Sequence, residues 1–349
     1  MTSKYQAIFT QLRKEIFDGR YSAAGAFPSE NGICKRFGVS RTTAVKVMES
    51  LLHENLVVRR RGSGTFVTAT ARRRTGSIGL IVPGLSYGEI FPPICQAIVR
   101  TAAERGYSVV LGDISARDPQ RRAAEARRVA QMFIERRSLG VIFQPLAFLR
   151  RSDAASTAIL ADLDAAGVPT VLLDRSVDSA AFKGRDFVGI DNFAAGRCLA
   201  RALVADGVRR VWFWMRPNCA SVIGERLQGV RCELARTGSV REVKADPESV
   251  REVRSAVRGR LPEAIVCESD YVAAALRATL AKLPPDLKRV RFAGFDGLRY
   301  AQLMSAPYVT MAQPCEEIAR TALELLLARL ERPSAPGRKV LLSARLCRL

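Results

Sequence analysis

The first part of the chain carries a helical hydrophobic pattern that is broken at two points. Three short helices are predicted, and the third has apolar residues at i, i+3, i+4 and i+7: Ala44, Val47, Met48 and Leu51. Ser29 and Ser40 stand just before the second and third helices, where serine is a preferred N-cap. Gly38 separates these two helices, so the segment predicts a helix-turn-helix.

Two short β patterns follow the third helix. Asn55 stands where the chain leaves that helix, and asparagine tolerates the left-handed backbone that such an exit needs. Residues 57–58 and 65–67 are predicted to be short β segments, and residues 59–66 read RRRGSGTF. Arginines beside glycines suit a phosphate, either of a nucleotide cofactor or of DNA. A nucleotide loop needs a buried parallel strand before it and a helix after it, so DNA is the predicted partner.

The pattern changes after residue 77. Residues 69–77 are polar and basic, which is typical of a linker. Beyond them, apolar runs such as IGLIVP, VPTVLLDR and VRFAGFDG alternate with long amphipathic segments. Such alternation predicts parallel sheets covered on both faces, and the runs are too many for one sheet.

The domain organisation follows from these two patterns. Residues 1–68 are predicted to form a small α+β winged helix-turn-helix. After the linker, residues 78–349 are predicted to be α/β, with two Rossmann-like subdomains whose parallel sheets surround a ligand cleft.

The ends of the predicted strands carry polar side chains and nearby rings. Ligands of open parallel sheets bind beyond the carboxyl ends of the strands. A carboxylate or amide oxygen accepts from a hydroxyl, and a ring covers the apolar face of a sugar. This set therefore favours a small polyhydroxylated ligand. Its members are Ser86, Phe91, Gln144, Asp174, Arg175, Asp191, Asn192, Ser269, Asp270, Tyr271 and Asp296.

Some of these residues have simpler explanations. Asp191 and Asn192 fit a helix cap as well as a ligand contact, and Asp296 before Gly297 fits a turn. The aromatic run at residues 212–214 alternates along a strand, so most of it is expected in the core.

Net charge and cysteine usage narrow the function. The formal net charge is +21, which favours an acidic partner, although a dispersed basic surface would give the same total. Residues 1–76 hold 14 Lys/Arg and 5 Asp/Glu, a net of +9, while the other 273 residues carry +12. The N-terminal fifth is therefore the most basic part.

The eight cysteines are scattered, and His53 is the one histidine, so we predict neither a metal site nor a cofactor. The N-terminal segment is amphipathic and no long apolar run is present, so a cytoplasmic protein is expected.

The N-terminal motifs carry a family resemblance. The order FPSE, FGVSRTT and LVVRRRGSGTFV over residues 4–67 resembles the winged helix-turn-helix of GntR-type bacterial transcription regulators. Val45 stands where that family often has arginine, and Phe27 and Asn31 also depart from its pattern. The second helix of the motif places hydroxyls, a guanidinium and free N–H groups at a helix N-terminus, which suits DNA phosphates. Expected DNA contacts are Ser29, Ser40, Arg41, Thr42, Thr43, Lys46, Arg60, Arg61, Gly62, Ser63 and Gly64.

The remainder resembles a second family. The segments VGIDNFAAGR, GERLQG, ESDYVAAAL and FAGFDG resemble the effector domain of LacI-type regulators, which has the periplasmic sugar-binding-protein fold. Both parts together are similar to AraR-like regulators. The resemblance implies that Arg226 binds effector oxygens, with a salt bridge as its alternative. Ser269 stands where the family commonly has asparagine. Expected effector contacts are Ser86, Phe91, Gln144, Asp174, Arg226, Ser269, Asp270 and Asp296.

An enzyme is the main competing interpretation. Paired aspartates at strand ends could perform acid–base chemistry. However, the chain has no G-x-S-x-G or G-x-x-x-x-G-K-[ST] motif, and no lysine suited to a pyridoxal phosphate Schiff base. We therefore predict a homodimeric, sequence-specific repressor controlled by a small molecule, most simply a monosaccharide. An activator, or a regulator with a non-sugar effector, is the alternative.

Overall fold

The computed structural model describes most of the chain. It covers residues 4–17, 20–21, 27–68, 76–83, 90–116, 118–146, 152–177, 184–217, 219–283, 290–304 and 307–349. Ser86 and residues 69–75 of the predicted linker lie outside the described residues. The first strand after that linker begins at Ser77.

The N-terminal domain is the predicted winged helix-turn-helix. Its elements are α1 (Lys4–Phe17), α2 (Glu30–Phe37), α3 (Arg41–His53), β1 (Val57–Arg60) and β2 (Gly64–Val67). Ser29 accepts from the Gly32 N–H and Ser40 from the Thr43 N–H, so both predicted N-caps are confirmed. β1 and β2 pair antiparallel as the wing, and Asn55 has a φ of 54°. The predicted apolar face of α3 is buried in this domain's own core.

An ion pair between the buried Glu15 and the partly exposed Arg36 joins α1 to α2. Arg36 donates to both carboxylate oxygens of Glu15, at 2.7 Å to Oε2, and the Tyr21 hydroxyl donates to Oε2 at 2.7 Å. The Arg36 hydrogen bond lowers the pKa of Glu15 to about 2, although burial opposes the shift. Glu15 therefore stays ionised at neutral pH and holds the helix that precedes the helix-turn-helix.

The rest of the chain contains two sheets, as predicted. In the described residues the first sheet has six strands in the order β13-β7-β6-β5-β3-β4, all parallel. Its strands are β3 (Ser77–Pro83), β4 (Ser108–Ile114), β5 (Gly140–Phe143), β6 (Thr170–Leu173), β7 (Asp186–Ile190) and β13 (Lys339–Leu342). Its helices are α4 (Phe91–Glu104), α5 (Pro119–Glu135), α6 (Ser152–Ala165) and, from the far end of the chain, α12 (Cys315–Glu331).

The second sheet is built in the same way. Within the described ranges its order is β14-β12-β11-β10-β8-β9, with only β14 antiparallel. Its strands are β8 (Arg210–Met215), β9 (Ser239–Lys244), β10 (Ala264–Cys267), β11 (Arg291–Asp296), β12 (Tyr308–Ala312) and β14 (Arg345–Arg348). Its helices are α7 (Asn192–Ala205), α8 (Ser221–Leu234), α9 (Val250–Ala256), α10 (Asp270–Leu280) and α11 (Arg299–Leu303).

The chain crosses between the two sheets three times. It leaves the first sheet between β7 and α7, returns between β12 and α12, and leaves again between β13 and β14. Buried Asp186 anchors the returning segment, because it accepts from Arg329 Nε at 2.9 Å and from the Arg338 N–H at 3.0 Å. The subdomains are therefore joined by several short segments rather than by one linker.

Three strands were not predicted. β9, β13 and β14 are edge strands in which exposed residues are interspersed with half-buried ones. The apolar runs identified in the sequence become strands, and the aromatic run of residues 212–214 is buried as expected. No helix in the described part of the chain is long and apolar enough to cross a membrane.

Candidate functional site

The outer face of α3 carries the residues expected to meet DNA. Arg41, Thr42 and Lys46 are exposed on this face. Thr43 is half-buried, and its hydroxyl lies 3.0 Å from the Ser40 hydroxyl. Ser40 and Thr43 thus form the N-terminal cap of the helix and leave the polar side chains of Arg41, Thr42 and Lys46 on its surface. The N-terminus of α3 also presents the positive end of the helix dipole, which favours phosphate.

The three consecutive arginines of the wing have different surroundings. Arg59 donates to Glu30 on α2, which neutralises it and fixes the wing against the helix-turn-helix. Arg60 lies over the Phe66 ring, 5.1 Å from its centroid. Arg61 is exposed in the turn, together with Gly62 and Ser63.

Glycine conformation shapes the wing turn. Gly62 has a φ of 76° and Gly64 a φ of 113°, which side-chain-bearing residues rarely adopt. The Ser63 N–H closes the turn by donating to the Arg60 carbonyl at 3.0 Å. The tight turn keeps the cationic groups of Arg60 and Arg61 at the tip of the domain.

The ends of β5 and β6 bring three predicted strand-end residues together. Gln144, Asp174 and Arg175 are all buried. The Gln144 amide lies 3.3 Å from Asp174 Oδ2, and when it is turned by 180° its oxygen accepts from Arg175 Nε at 3.0 Å. Arg175 Nε is also 3.8 Å from Asp174 Oδ2. Asp174 has a φ of 67°, a conformation that is uncommon outside glycine and that often marks functional sites.

The facing side of the cleft centres on Arg226 of α8. Its Nε donates to Asn192 Oδ1 at 2.8 Å, and its Nη1 donates to the Glu268 carbonyl at 2.7 Å. Nη1 is also 3.8 Å from Asp296 Oδ1, at the end of β11. Only 4% of Arg226 is exposed, so a polar group that it binds is shielded from water.

Two glycines allow this geometry. α7 and α8 pack so closely that a Cβ on Gly196 would lie 2.1 Å from the Arg226 carbonyl oxygen, and one on Gly229 would lie 2.2 Å from the Phe193 carbonyl oxygen. The close approach brings Arg226 to Asn192, the first residue of α7. A larger residue at either glycine would separate the helices and move Arg226.

The Asp296 carboxyl is poised between its charged and neutral forms. Burial raises its pKa to about 7, and Asp270 and Asp174 add to the rise, whereas Arg226 and a hydrogen bond from Gln313 oppose it. Asp296 has a φ of 110°, which is a turn conformation, and its carboxyl also lies at the cleft.

Asp270 differs from the sequence-based expectation. Its side chain is fully buried, and its carboxylate accepts from Tyr308, from Thr310 and from the Gly297 N–H at 2.7 Å. It therefore lies behind the cleft surface and holds the β11 turn, instead of making the direct contact we expected. Ser269 caps α10 by accepting from the Val272 N–H at 3.3 Å and is only half-buried.

Phe91 is the first residue of α4, and its buried side chain belongs to a core cluster that also contains Ile94 and Ile98. Its contact with an effector remains a prediction. Asp191 is a helix cap, because its side chain accepts from the Ala194 N–H at 2.8 Å.

Two residues of the site were absent from the predicted contacts. Arg175 was identified as a strand-end residue but was not among the expected effector contacts. Gln313 follows β12, and its Nε2 donates to Asp296 Oδ1 at 2.9 Å, while its buried Oε1 has no protein partner in the described residues. An unpaired buried amide oxygen is costly and suits a ligand hydroxyl. Position after an apolar strand is the signal that could have identified Gln313.

Two of the three chain crossings are hydrogen-bonded to the Arg226–Asp296 pair. Asn192, at the first crossing, accepts from Arg226, and Gln313, at the second, donates to Asp296. A ligand that binds Arg226 or Asp296 would therefore act directly on the segments that join the subdomains.

Family comparisons agree with this geometry. Residues 4–67 match the bacterial regulatory proteins of the gntR family, and residues 200–348 match a periplasmic binding protein-like domain. The chain is a GntR-type helix-turn-helix joined to a periplasmic-binding-protein-like domain.

Curated relatives align with most of the chain. The chain is 24% identical over 350 residues to the arabinose metabolism transcriptional repressor of Geobacillus stearothermophilus, covering 95% of the chain and 92% of the relative. It is 25% identical over 285 residues to the ribose operon repressor of Escherichia coli (strain K12), covering 77% of the chain and 80% of that repressor.

Solved structures establish the fold of both parts. The cellobiose complex of the transcriptional regulator CelR has a TM-score of 0.65 at 22% identity and covers 98% of each chain. The Cra transcriptional dual regulator from Pseudomonas putida, in complex with fructose 1-phosphate, has a TM-score of 0.64 at 24% identity. That likeness covers 78% of this chain and 98% of the Cra chain, and it confirms the two-subdomain architecture.

Proposed function

We propose that this protein is a sequence-specific transcriptional repressor whose operator affinity is controlled by a sugar bound in the cleft. The observation that carries the proposal is the union of a capped, basic recognition helix with a cleft of paired carboxylates and buried arginines in one chain. The curated relatives named above are repressors of arabinose metabolism and of the ribose operon, which supports a regulator rather than an enzyme.

Two copies of the DNA-binding domain are proposed to act together. One recognition helix contacts few base pairs, and two-fold operators match two-fold proteins, so we infer a homodimer on double-stranded DNA. α3 would enter the major groove, with Arg41, Thr42 and Lys46 at the bases and phosphates. The exposed wing turn would lie along the adjacent backbone.

The cleft chemistry supports a neutral, hydroxyl-rich effector. Asp174 and Asp296 would accept from sugar hydroxyls, while Arg175 and Arg226 would donate to hydroxyl and ring oxygens. The free Oε1 of Gln313 provides a further acceptor, and Ser269 remains an expected contact. We assign Asp270 to the support of this site.

Coupling to DNA would pass through the chain crossings. A sugar that draws Arg226 towards itself would weaken the bond to Asn192, and one that binds Asp296 would compete with Gln313. Each change biases the angle between the subdomains and hence the spacing of the two recognition helices. The effector must therefore prefer one of the two arrangements, and we infer that it prefers the one that releases DNA.

The wing arginines are expected to set the salt dependence of DNA binding. Arg61→Ala, and to a similar extent Arg60→Ala, should lower the slope of log affinity against log salt by about 1, because one phosphate contact is lost. Arg59→Ala is the matched control, since Glu30 already neutralises Arg59. Equal slopes for the wild type and the Arg61 variant would contradict a phosphate contact from the wing.

Effector affinity is expected to depend on pH near neutrality. A hydroxyl donates better to an ionised carboxylate, so affinity should fall as the pH drops below about 7, where Asp296 becomes protonated. The fall should approach roughly tenfold per pH unit, as expected for a single titrating group. Calorimetric titration from pH 5.5 to 8 would measure it. The isosteric Asp296→Asn variant should bind more weakly and show little pH dependence.

The proposed function is tested by two linked measurements. The full-length protein would first be used to select duplexes from a random DNA library, and individual sugars would then be titrated against the selected duplex. We expect a two-fold symmetric sequence and at least one pentose, hexose or disaccharide that lowers its affinity. Failure to enrich any sequence would exclude a specific operator, and enrichment without any sugar response would exclude the sugar effector.

A further inference from the structure

The outward face of α3 contains one residue that cannot form a hydrogen bond through its side chain. Positions 41, 42, 45, 46 and 49 share this face, because they follow one another at helical spacing. Arg41, Thr42, Lys46 and Glu49 are polar and exposed, whereas Val45 is apolar and half-buried. Val45 therefore lies in the middle of the surface that would enter the major groove.

The domain core does not explain Val45. The opposite face of α3 supplies the residues buried in that core. The half-buried apolar side chains that pack against it are Tyr5, Phe9, Tyr21, Cys34, Phe37, Val39 and Leu52. Val45 is not among them, although it belongs to the same described segment. Helix propensity offers no reason either, because a β-branched side chain on a helix surface disfavours the helix.

The neighbours of Val45 define what it could recognise. The Thr43 hydroxyl is engaged with Ser40 in the helix cap. Arg41 and Lys46, on either side of Val45 along the helix, can donate to guanine, and Thr42 can bond to several bases. An apolar side chain in the major groove finds one apolar partner, the C5-methyl group of thymine.

We propose that Val45 reads the methyl group of a thymine in each operator half-site, an inference that rests on the proposed function. Val45 is four residues from Arg41, and a rise of 1.5 Å per residue separates them by about 6 Å along the helix. This distance corresponds to about two base-pair steps of 3.4 Å. The thymine is therefore expected within about two base pairs of the base that Arg41 contacts.

A uracil scan of the selected duplex tests this contact. Each thymine of one half-site is replaced singly by uracil, which removes only the methyl group, and affinity is measured for the wild type and for Val45→Ala. The wild type should lose about fourfold at one position, the value of one buried methyl group. The Val45→Ala protein should bind both duplexes equally at that position. A helix-surface alanine favours the helix, so this variant is expected to fold.

Val58→Ala serves as the matched control. Val58 is an exposed valine of the same domain that lies in β1 of the wing rather than on α3, and its truncation should leave the uracil effect at the Val45 position unchanged. The inference is overturned if uracil lowers affinity at no position, or if its effect persists in the Val45→Ala protein. Either result would leave the selected operator valid. If no duplex is selected at all, the proposed function fails first and this inference fails with it.

Discussion

Arg226→Met is expected to remove the sugar response while operator binding persists. Arg226 joins the Asn192 amide, the Glu268 carbonyl and the Asp296 carboxylate at one buried point. Methionine fills similar space but donates no hydrogen bond, so ligand oxygens lose a charged donor, at a cost of about 1.5–3 kcal/mol. The sugar concentration that releases half of the DNA should therefore rise roughly 10- to 150-fold.

Two further variants separate binding from folding. Arg231→Met changes an arginine of the same helix that pairs with Glu242 on the protein surface, and it should leave the sugar response intact. Arg226→Lys keeps the charge beside Asp296 but cannot reach three partners at once, so an intermediate response is expected. An Arg226→Met protein that folds and is released by the same sugar concentration as the wild type would exclude Arg226 from the effector site.

Arg41→Ala is expected to weaken binding to the selected operator by about 1–3 kcal/mol if Arg41 contacts a base. The side chain is exposed at the first position of α3, immediately after the Ser40 cap, where a major-groove base edge is within its reach. Affinity for unrelated DNA should then change much less. Fluorescence anisotropy with the operator and with a scrambled duplex, at one fixed salt concentration, would measure both effects.

The comparison between duplexes decides what Arg41 reads. Equal weakening on the operator and on scrambled DNA would assign Arg41 to phosphate rather than to a base. Arg13→Ala is the matched control, because Arg13 lies on α1 and pairs with Glu54 at 3.0 Å beyond the far end of α3. It should lower affinity for neither duplex appreciably.

The sequence alone predicted the elements that depend on local chemistry. Ser29 and Ser40 were identifiable as N-caps because a cap is completed within three residues, and Asn55 was identifiable because its left-handed backbone is a local requirement. The apolar runs became strands because burial on both faces leaves a continuous hydrophobic stretch. The edge strands β9, β13 and β14 escaped prediction, since a half-exposed edge does not require such a stretch.

The candidate site was predicted in outline for a similar reason. Parallel strands bring their carboxyl ends to one edge, so a polar residue after an apolar run marks the cleft without knowledge of its neighbours. This reasoning located Gln144, Asp174 and Asp296. It could also have located Gln313, which obeys the same rule.

Only the tertiary structure decided how each polar group is used. Asp270 and Asp296 both follow buried strands, yet Asp270 is saturated by Tyr308, Thr310 and the Gly297 N–H, whereas Asp296 faces Arg226 at 3.8 Å. Those partners are distant in the chain, and their distances depend on the packing of the two sheets and of α7 against α8. The sequence by itself therefore determined which residues could reach the cleft and the DNA. Packing decided which of them support the site, and which remain available to a ligand.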